Sequence, residues 1–307
     1  MAETLRFVTG FGPTNVDLLY SGMPRVPQEG EEIYAADFSM QLGGDYPATL
    51  INLGRLGVPT HVQTFLGDDV FSSFAKAQYA AAGVSPLNLY QGDRMPVNVT
   101  SAVITPRDRA FTSYTDPVIV TDHHRQQVLD NSRGAAIALV HGDFLEIYPQ
   151  LKREGTLLVY DTGWREDMRL SNMKDILNLV DFYTPNHMEA MRITDTDSPS
   201  AAARALAEYL EHVVIKLGKE GCLLYSGGRE TLIRAVPDVK AVDTTGAGDA
   251  FLAGFCYGLY HGADLPRAIL YGNLTGAESV KAVGCLSSYL TEKELLEKAE
   301  AFEASER

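Results

Sequence analysis

The chain has 307 residues, long for one domain and short for two, and its 45% hydrophobic and 21% charged content exclude wholesale disorder. Asp plus Glu number 40 against 26 Lys plus Arg, a formal charge of −14, and so acidic a surface argues against a nucleic-acid partner. Three cysteines without a C-x-x-C pair, no basic-then-apolar leader and no apolar run of about 18 residues point to a reducing cytoplasm and to no membrane span.

Taken in chain order, short apolar runs alternate with helix-like segments. Residues 5–11 read as a strand, 48–56 as a helix ended by Gly57, 61–66 as a strand, and 68–82 as an amphipathic helix closed by Gly83. Further on, 136–140, 156–160, 181–184 and 213–217 read as strands. Between them 144–153, 171–180 and 200–210 read as helices. This alternation predicts an α/β fold: an αβα sandwich around a central, mostly parallel sheet. Right-handed crossovers then place ligands beyond the carboxyl ends of the strands.

Two stretches break the rhythm. Residues 16–39 and 97–114 carry β-branched and aromatic content without a helical period, which predicts a small β-sheet projecting as a lid. Because they come from separate parts of the chain, the expectation is one domain over 1–307 with a lid, not two sequential domains. After Gly246 the chain reads as helical.

The run Asp243-Thr244-Thr245-Gly246-Ala247-Gly248-Asp249 leads straight into an apolar helix. Small residues at 246, 247 and 248 let a ligand approach the backbone. The first amides of the helix lack internal partners and the dipole adds positive potential, which makes an anion site. Asp249, in the first turn, is a carboxylate placed to take a proton from an attacking hydroxyl. No G-x-x-x-x-G-K-[ST] and no strand-G-x-G-x-x-G-helix occurs, so neither a P-loop nor a dinucleotide fold is indicated.

With those residues in view, the sequence resembles the ribokinase-like, or PfkB, carbohydrate kinases. Five ordered pieces carry the resemblance. Asp243 to Asp249 match D-T-x-G-A-G-D, and Gly43-Gly44 followed by Arg55-Leu56-Gly57 match the N-terminal signature. Asn15-Val16-Asp17 match an early sugar-holding strand, Pro185-Asn186-His187-Met188-Glu189 match P-N-x-x-E, and Lys216-Leu217-Gly218 with Gly221 match the nucleotide-side strand-turn-strand.

The resemblance implies transfer of the γ-phosphate of ATP to a hydroxyl of a small sugar or sugar-like molecule. Asp249 is then the catalytic base, and Gly246, Ala247 and Gly248 form the anion hole. Asn15, Asp17, Gly43, Gly44 and Asp45 line the sugar pocket. Lys216, Gly218, Gly221 and Asn273 face the nucleotide, and Asn186 and Glu189 organise Mg²⁺, through water. Asp243, Thr245, Gly284 and Ser288 match positions that hold K⁺ in many members. Lid sheets of the family often pair, which implies a homodimer.

Ala48 departs from the pattern, because an Asn usually stands five residues after the first Gly; Tyr46 is expected to fill part of that space. Asp161-Thr162-Gly163-Trp164-Arg165 resembles D-x-N-x-R, so Arg165 is a candidate fork for a substrate carboxylate. Two other readings share the sequence. A nucleoside kinase of the same fold would stack a base on Phe38, Tyr46 or Phe111, and a non-catalytic sensor would bind sugar or nucleotide without transfer.

Overall fold

The computed structural model describes residues 6–163 and 167–306. The first part of the chain runs β1 (Val8–Phe11), β2 (Asn15–Ser21), β3 (Asp37–Leu42), α1 (Tyr46–Arg55), β4 (Thr60–Thr64), α2 (Val70–Ala81), β5 (Leu87–Asn88), β6 (Asn98–Ile104) and β7 (Arg109–Tyr114). The middle runs α3 (Asp122–Ser132), β8 (Ile137–Leu139), α4 (Tyr148–Arg153), β9 (Leu157–Tyr160), α5 (Leu170–Leu179), β10 (Phe182–Tyr183), α6 (His187–Thr194) and α7 (Pro199–Leu206). The last part runs β11 (His212–Lys216), β12 (Gly221–Ser226), β13 (Arg229–Arg234), α8 (Ala247–Tyr260), α9 (Leu265–Ser279) and α10 (Glu292–Ser305).

Six strands form the central sheet in the order β10-β9-β8-β1-β4-β5, every pair parallel. The antiparallel sheet β11-β12-β13 continues it: Asn186 and Lys216 make a parallel bridge, and the Lys216 amide donates to the Pro185 carbonyl at 2.9 Å. Side chains alternate across each strand, so the sheet separates two cores. Val214 packs with α1, α8 and α9 around Leu50, Phe255 and Leu274, whereas Val213 and Ile215 pack with α4, α5 and α7 around Leu151, Leu177 and Leu206. Strands buried on both faces read as apolar runs, which is why they are legible in sequence.

The small sheet has the order β3-β2-β6-β7. Its β2–β6 pair is parallel and the other two are antiparallel. Its strands use only the ends of the 16–39 stretch; Pro24 and Pro27, between them, cannot donate to a ladder.

Several elements differ from expectation. The helix expected over 144–153 is a short 3₁₀ turn, Gly142–Phe144, then α4, because Pro149 sits in the first turn of α4 and can only begin a helix. Helix α3 is unforeseen: of its eleven residues only Val128, Leu129 and Ser132 are buried, too few apolar positions for a stripe, and a Thr121–His124 capping box starts it. Residue 5, the expected start of the first strand, lies outside the described residues. Among those described, no helix is long and apolar enough to cross a membrane.

Candidate active site

Helix α8 begins at Gly246, whose φ of 75° is the left-handed region, and a Cβ there would overlap Cys285. Gly246 has no side chain to cap the first turn, whereas Asp69, Asn186, Ser198, Asp264 and Thr291 cap other helices. The uncapped tip keeps its positive end for a ligand. Asp249 lies in that first turn. Enclosure pushes its carboxyl up to about 8, helped by the negative charges of Asp45 and Asp161; Lys216 and the Asp45 amide, which donates to it, act the other way. Gly44 makes the approach possible, since a Cβ there would lie 2.7 Å from Asp249 Oδ2.

The small sheet brings the sugar-side candidates to the same place. Asn15 and Asp17 lie on one face of β2, with Asn15 Nδ2 donating to Asp17 Oδ1 at 2.5 Å. Burial pushes the Asp17 carboxyl up to about 6, against the Asn15 hydrogen bond. Asp45 holds a φ of 76°, rare for a side-chain-bearing residue, and its carboxylate accepts from the Tyr46 amide at 2.7 Å. Burial raises the Asp45 carboxyl. Asn15, Gly44, Asp45, Asn98, Thr100 and Ser113 line a cleft of about 450 Å³, the size of a small-molecule site.

Tyr46 is not available to that cleft. It is buried in the core and its hydroxyl donates to the Val140 and Asp161 carbonyls at 2.9 and 2.8 Å. It neither fills the space left by Ala48, itself fully buried, nor stacks on a base. A phenol inside an apolar core needs a partner, and the two carbonyls supply it. Phe38 lies opposite Tyr20 on the sheet face away from Asp17, so it does not face the cleft either.

On the other side of Asp249, Lys216 Nζ donates to Asp161 Oδ2 at 2.7 Å, both side chains nearly buried. Burial works against the ammonium, but Asp161, Glu189 and Asp249 outweigh it and hold Lys216 above its ordinary value. The ammonium also adjoins the anion tip: a Cβ on Gly248 would lie 3.2 Å from Nζ. Asn186 and Glu189 form a capping box on α6, with amide-to-side-chain bonds of 2.8 and 3.0 Å. Burial raises the Glu189 carboxyl, and Lys216 partly offsets it. Gly218 and Gly221 bracket the turn between β11 and β12. Asn273 does not face outward: its amide donates to the Ile233 and Arg234 carbonyls at 3.1 and 3.0 Å, tying α9 to β13.

The four positions matched to K⁺ already have protein partners. Asp243 Oδ1 accepts from the Thr245 amide and hydroxyl at 3.0 and 2.8 Å, and from Arg109 Nη1 at 2.6 Å. Asp243 Oδ2 accepts from the Gly284 amide at 2.9 Å, Arg109 Nη1 also donates to Thr245 Oγ1, and Ser288 donates to Glu278. Burial pushes the Asp243 carboxyl up, yet these donors and the Arg109 charge overcome it and hold it below its ordinary value. This donor set does not fit a bare cation, because a guanidinium sits on its only carboxylate. Arg109 and Gln41 had no sequence signal as site residues, and Asp161 was legible only as the first residue of the D-x-N-x-R-like run; folding alone brings β7 against residue 243. Arg165 lies outside the described residues.

A parallel sheet wound on both faces, a projecting four-stranded sheet, and an acid beside a bare helix tip between them define a sugar kinase of ribokinase-like fold. The chain belongs to the pfkB family of carbohydrate kinases, whose model matches residues 11–292. It is 30% identical over 244 residues to an uncharacterized sugar kinase of Archaeoglobus fulgidus, covering 76% of this chain and 96% of that one. It is 26% identical over 318 residues to a ribokinase of Haemophilus influenzae, covering 97% and 98%. In structure it is similar to Arabidopsis thaliana ribokinase complexed with ribose and ATP, with a TM-score of 0.80, 22% identity, and coverage of 96% and 99%.

Proposed function

We propose that this carbohydrate kinase transfers the γ-phosphate of ATP to a hydroxyl of a small sugar bound between the two sheets, with Asp249 as the base. One observation carries the reading: Asp249 is held in the first turn of an uncapped helix, and its carboxyl sits near 8. A carboxylate so raised is a stronger proton acceptor than an ordinary one and suits a neutral hydroxyl. As the acceptor oxygen meets phosphorus, its proton passes to Asp249, and the amides of Gly246, Ala247 and Gly248 receive the charge of the migrating group. Lys216 adds positive charge at that tip. Asn15, Asp17, Gly43, Gly44 and Asp45 hold the sugar, and the carboxylates of Asp17 and Asp45 accept hydrogen bonds from its hydroxyls. The strand-turn-strand at Lys216, Gly218 and Gly221, with Asn273 behind it, borders the nucleotide.

Mg²⁺ supplies charge neutralisation on the phosphates when bound. The oxygen-only set of Asn186 and Glu189, with Asp161 nearby, suits a hard cation held through water. The buried free thiols of Cys222, Cys256 and Cys285 suit a reducing cytoplasm. Closure of the small sheet, residues 16–39 and 97–114, shields the transfer from water.

The test is ADP release from ATP across a panel of sugars. The acceptor that gives turnover in the wild type should lose about 10²–10⁴-fold with Asp249→Asn, while MgATP still binds. Near-normal turnover in that variant removes Asp249 from the chemistry.

A further inference from the structure

The cation-like group at Asp243 belongs to the chain itself. Arg109 opens β7 and pairs with Ile104, and by alternation it shares the cleft face of the sheet with Ser113. Its guanidinium spans Asp243 Oδ1 and Thr245 Oγ1, immediately ahead of the Gly246–Gly248 tip. Asp243 is nearly buried, at 8% side-chain exposure, and Arg109 is 29% exposed, so the carboxylate is neutralised out of water. A second residue of the small sheet covers the neighbouring loop. Gln41 Nε2 donates to the Val283 carbonyl at 3.4 Å, and Gln41 Oε1 accepts from Ser287 Oγ at 3.1 Å. Carboxylate, hydroxyl and loop carbonyl are thus met by donors from the small sheet, and a metal ion beside them would face a like charge.

We propose that Arg109 is the built-in cation of this kinase, replacing a monovalent metal at Asp243. The guanidinium supplies one positive charge behind the anion tip, fixes the Asp243–Thr245 turn from which that tip springs, and makes this dependent on the small sheet being seated. The role is one of positioning, acting through Asp243 rather than on the transferred phosphate, and it rests on the kinase reading only for its catalytic consequence. Both acceptors are met by one nitrogen, Nη1, at the end of a side chain longer than lysine's, so an ammonium keeps the charge but not this reach.

The test compares KCl, NaCl and choline chloride at equal ionic strength, reading thermal unfolding and MgATP affinity by calorimetry, neither of which needs the sugar acceptor. In the wild type both readouts should be the same in all three salts. In Arg109→Ala, MgATP should bind at least about fivefold more weakly in choline chloride, the low end of an ordinary coupling. KCl should recover part of that loss and raise the melting temperature above its value in choline chloride. Arg109→Lys should recover only part of the affinity and stay insensitive to K⁺. The proposal is overturned by a wild-type protein that K⁺ specifically stabilises, or by an Arg109→Ala variant that matches the wild type in choline chloride. A wild type that binds MgATP equally in all three salts yet turns over no sugar of the panel would instead count against the kinase reading and leave this proposal standing.

Discussion

Four carboxylates and one ammonium meet around the helix tip, and their mutual influence sets the chemistry residue by residue. Asp249 titrates near 8 because enclosure and the charges of Asp45 and Asp161 oppose its ionisation. A base works deprotonated, so kcat/KM should climb as pH rises through about 8 and level off above it. Asp45→Asn removes one of the charges responsible, so the same limb should move to lower pH in that variant; an unmoved limb would show that Asp45 does not act on Asp249. The sign for stability runs the other way. The folded Asp249 keeps its proton from 3.8, its ordinary value, up to about 8, while the unfolded chain has lost it, so the fold loses stability as pH rises across that window. Asp249→Asn abolishes this loss, and its thermal advantage over the wild type should widen from acid to neutral pH. Asp249 itself is legible in the sequence, because a helix-tip motif is local. Its raised value is not, since Asp45 and Asp161 come from other elements.

Helix α8 depends on a backbone that only glycine adopts easily. Gly246→Ala would place a methyl group at a φ of 75° and against Cys285, so it should cost about 1–3 kcal/mol. It should lower the melting temperature and weaken MgATP together, by spoiling the tip. Gly248→Ala is the control: its methyl would meet only the far end of Lys216, at 3.2 Å, so it should melt close to the wild type in calorimetry. The doubly buried strands and long amphipathic helices are readable from apolar spacing. Helix α3 and the broken 144–153 segment are not, because a short polar helix is decided by its cap and one proline rather than by periodicity.

In the whole molecule, the small sheet has one face on the cleft; the other packs on the core at its Val16–Leu42 end and emerges into solvent at its Tyr20–Phe38 end. There Tyr20 and Phe38 meet at a tilt of 52° with ring centroids 5.1 Å apart, 37% and 53% exposed. Half-exposed aromatics on a projecting sheet suit a surface paired with a second copy. We therefore expect a homodimer joined through these sheets. Phe38→Glu should turn a dimer into a monomer in sedimentation velocity, without moving the Asp249 pH limb. A monomeric wild type would discard the dimer.

The alternating architecture and the projecting sheet are legible in residue periodicity and composition, the helix-tip anion site in contiguous small and acidic residues, and the kinase family in the resemblance of five ordered motifs. The tertiary structure alone decided what surrounds them. Tyr46 turned into the core to satisfy its hydroxyl, Asn273 turned inward to hold β13, and Arg109 reached Asp243 across 134 positions of chain. Such pairings follow from burial and charge compensation between elements, which have no period and no spacing to read.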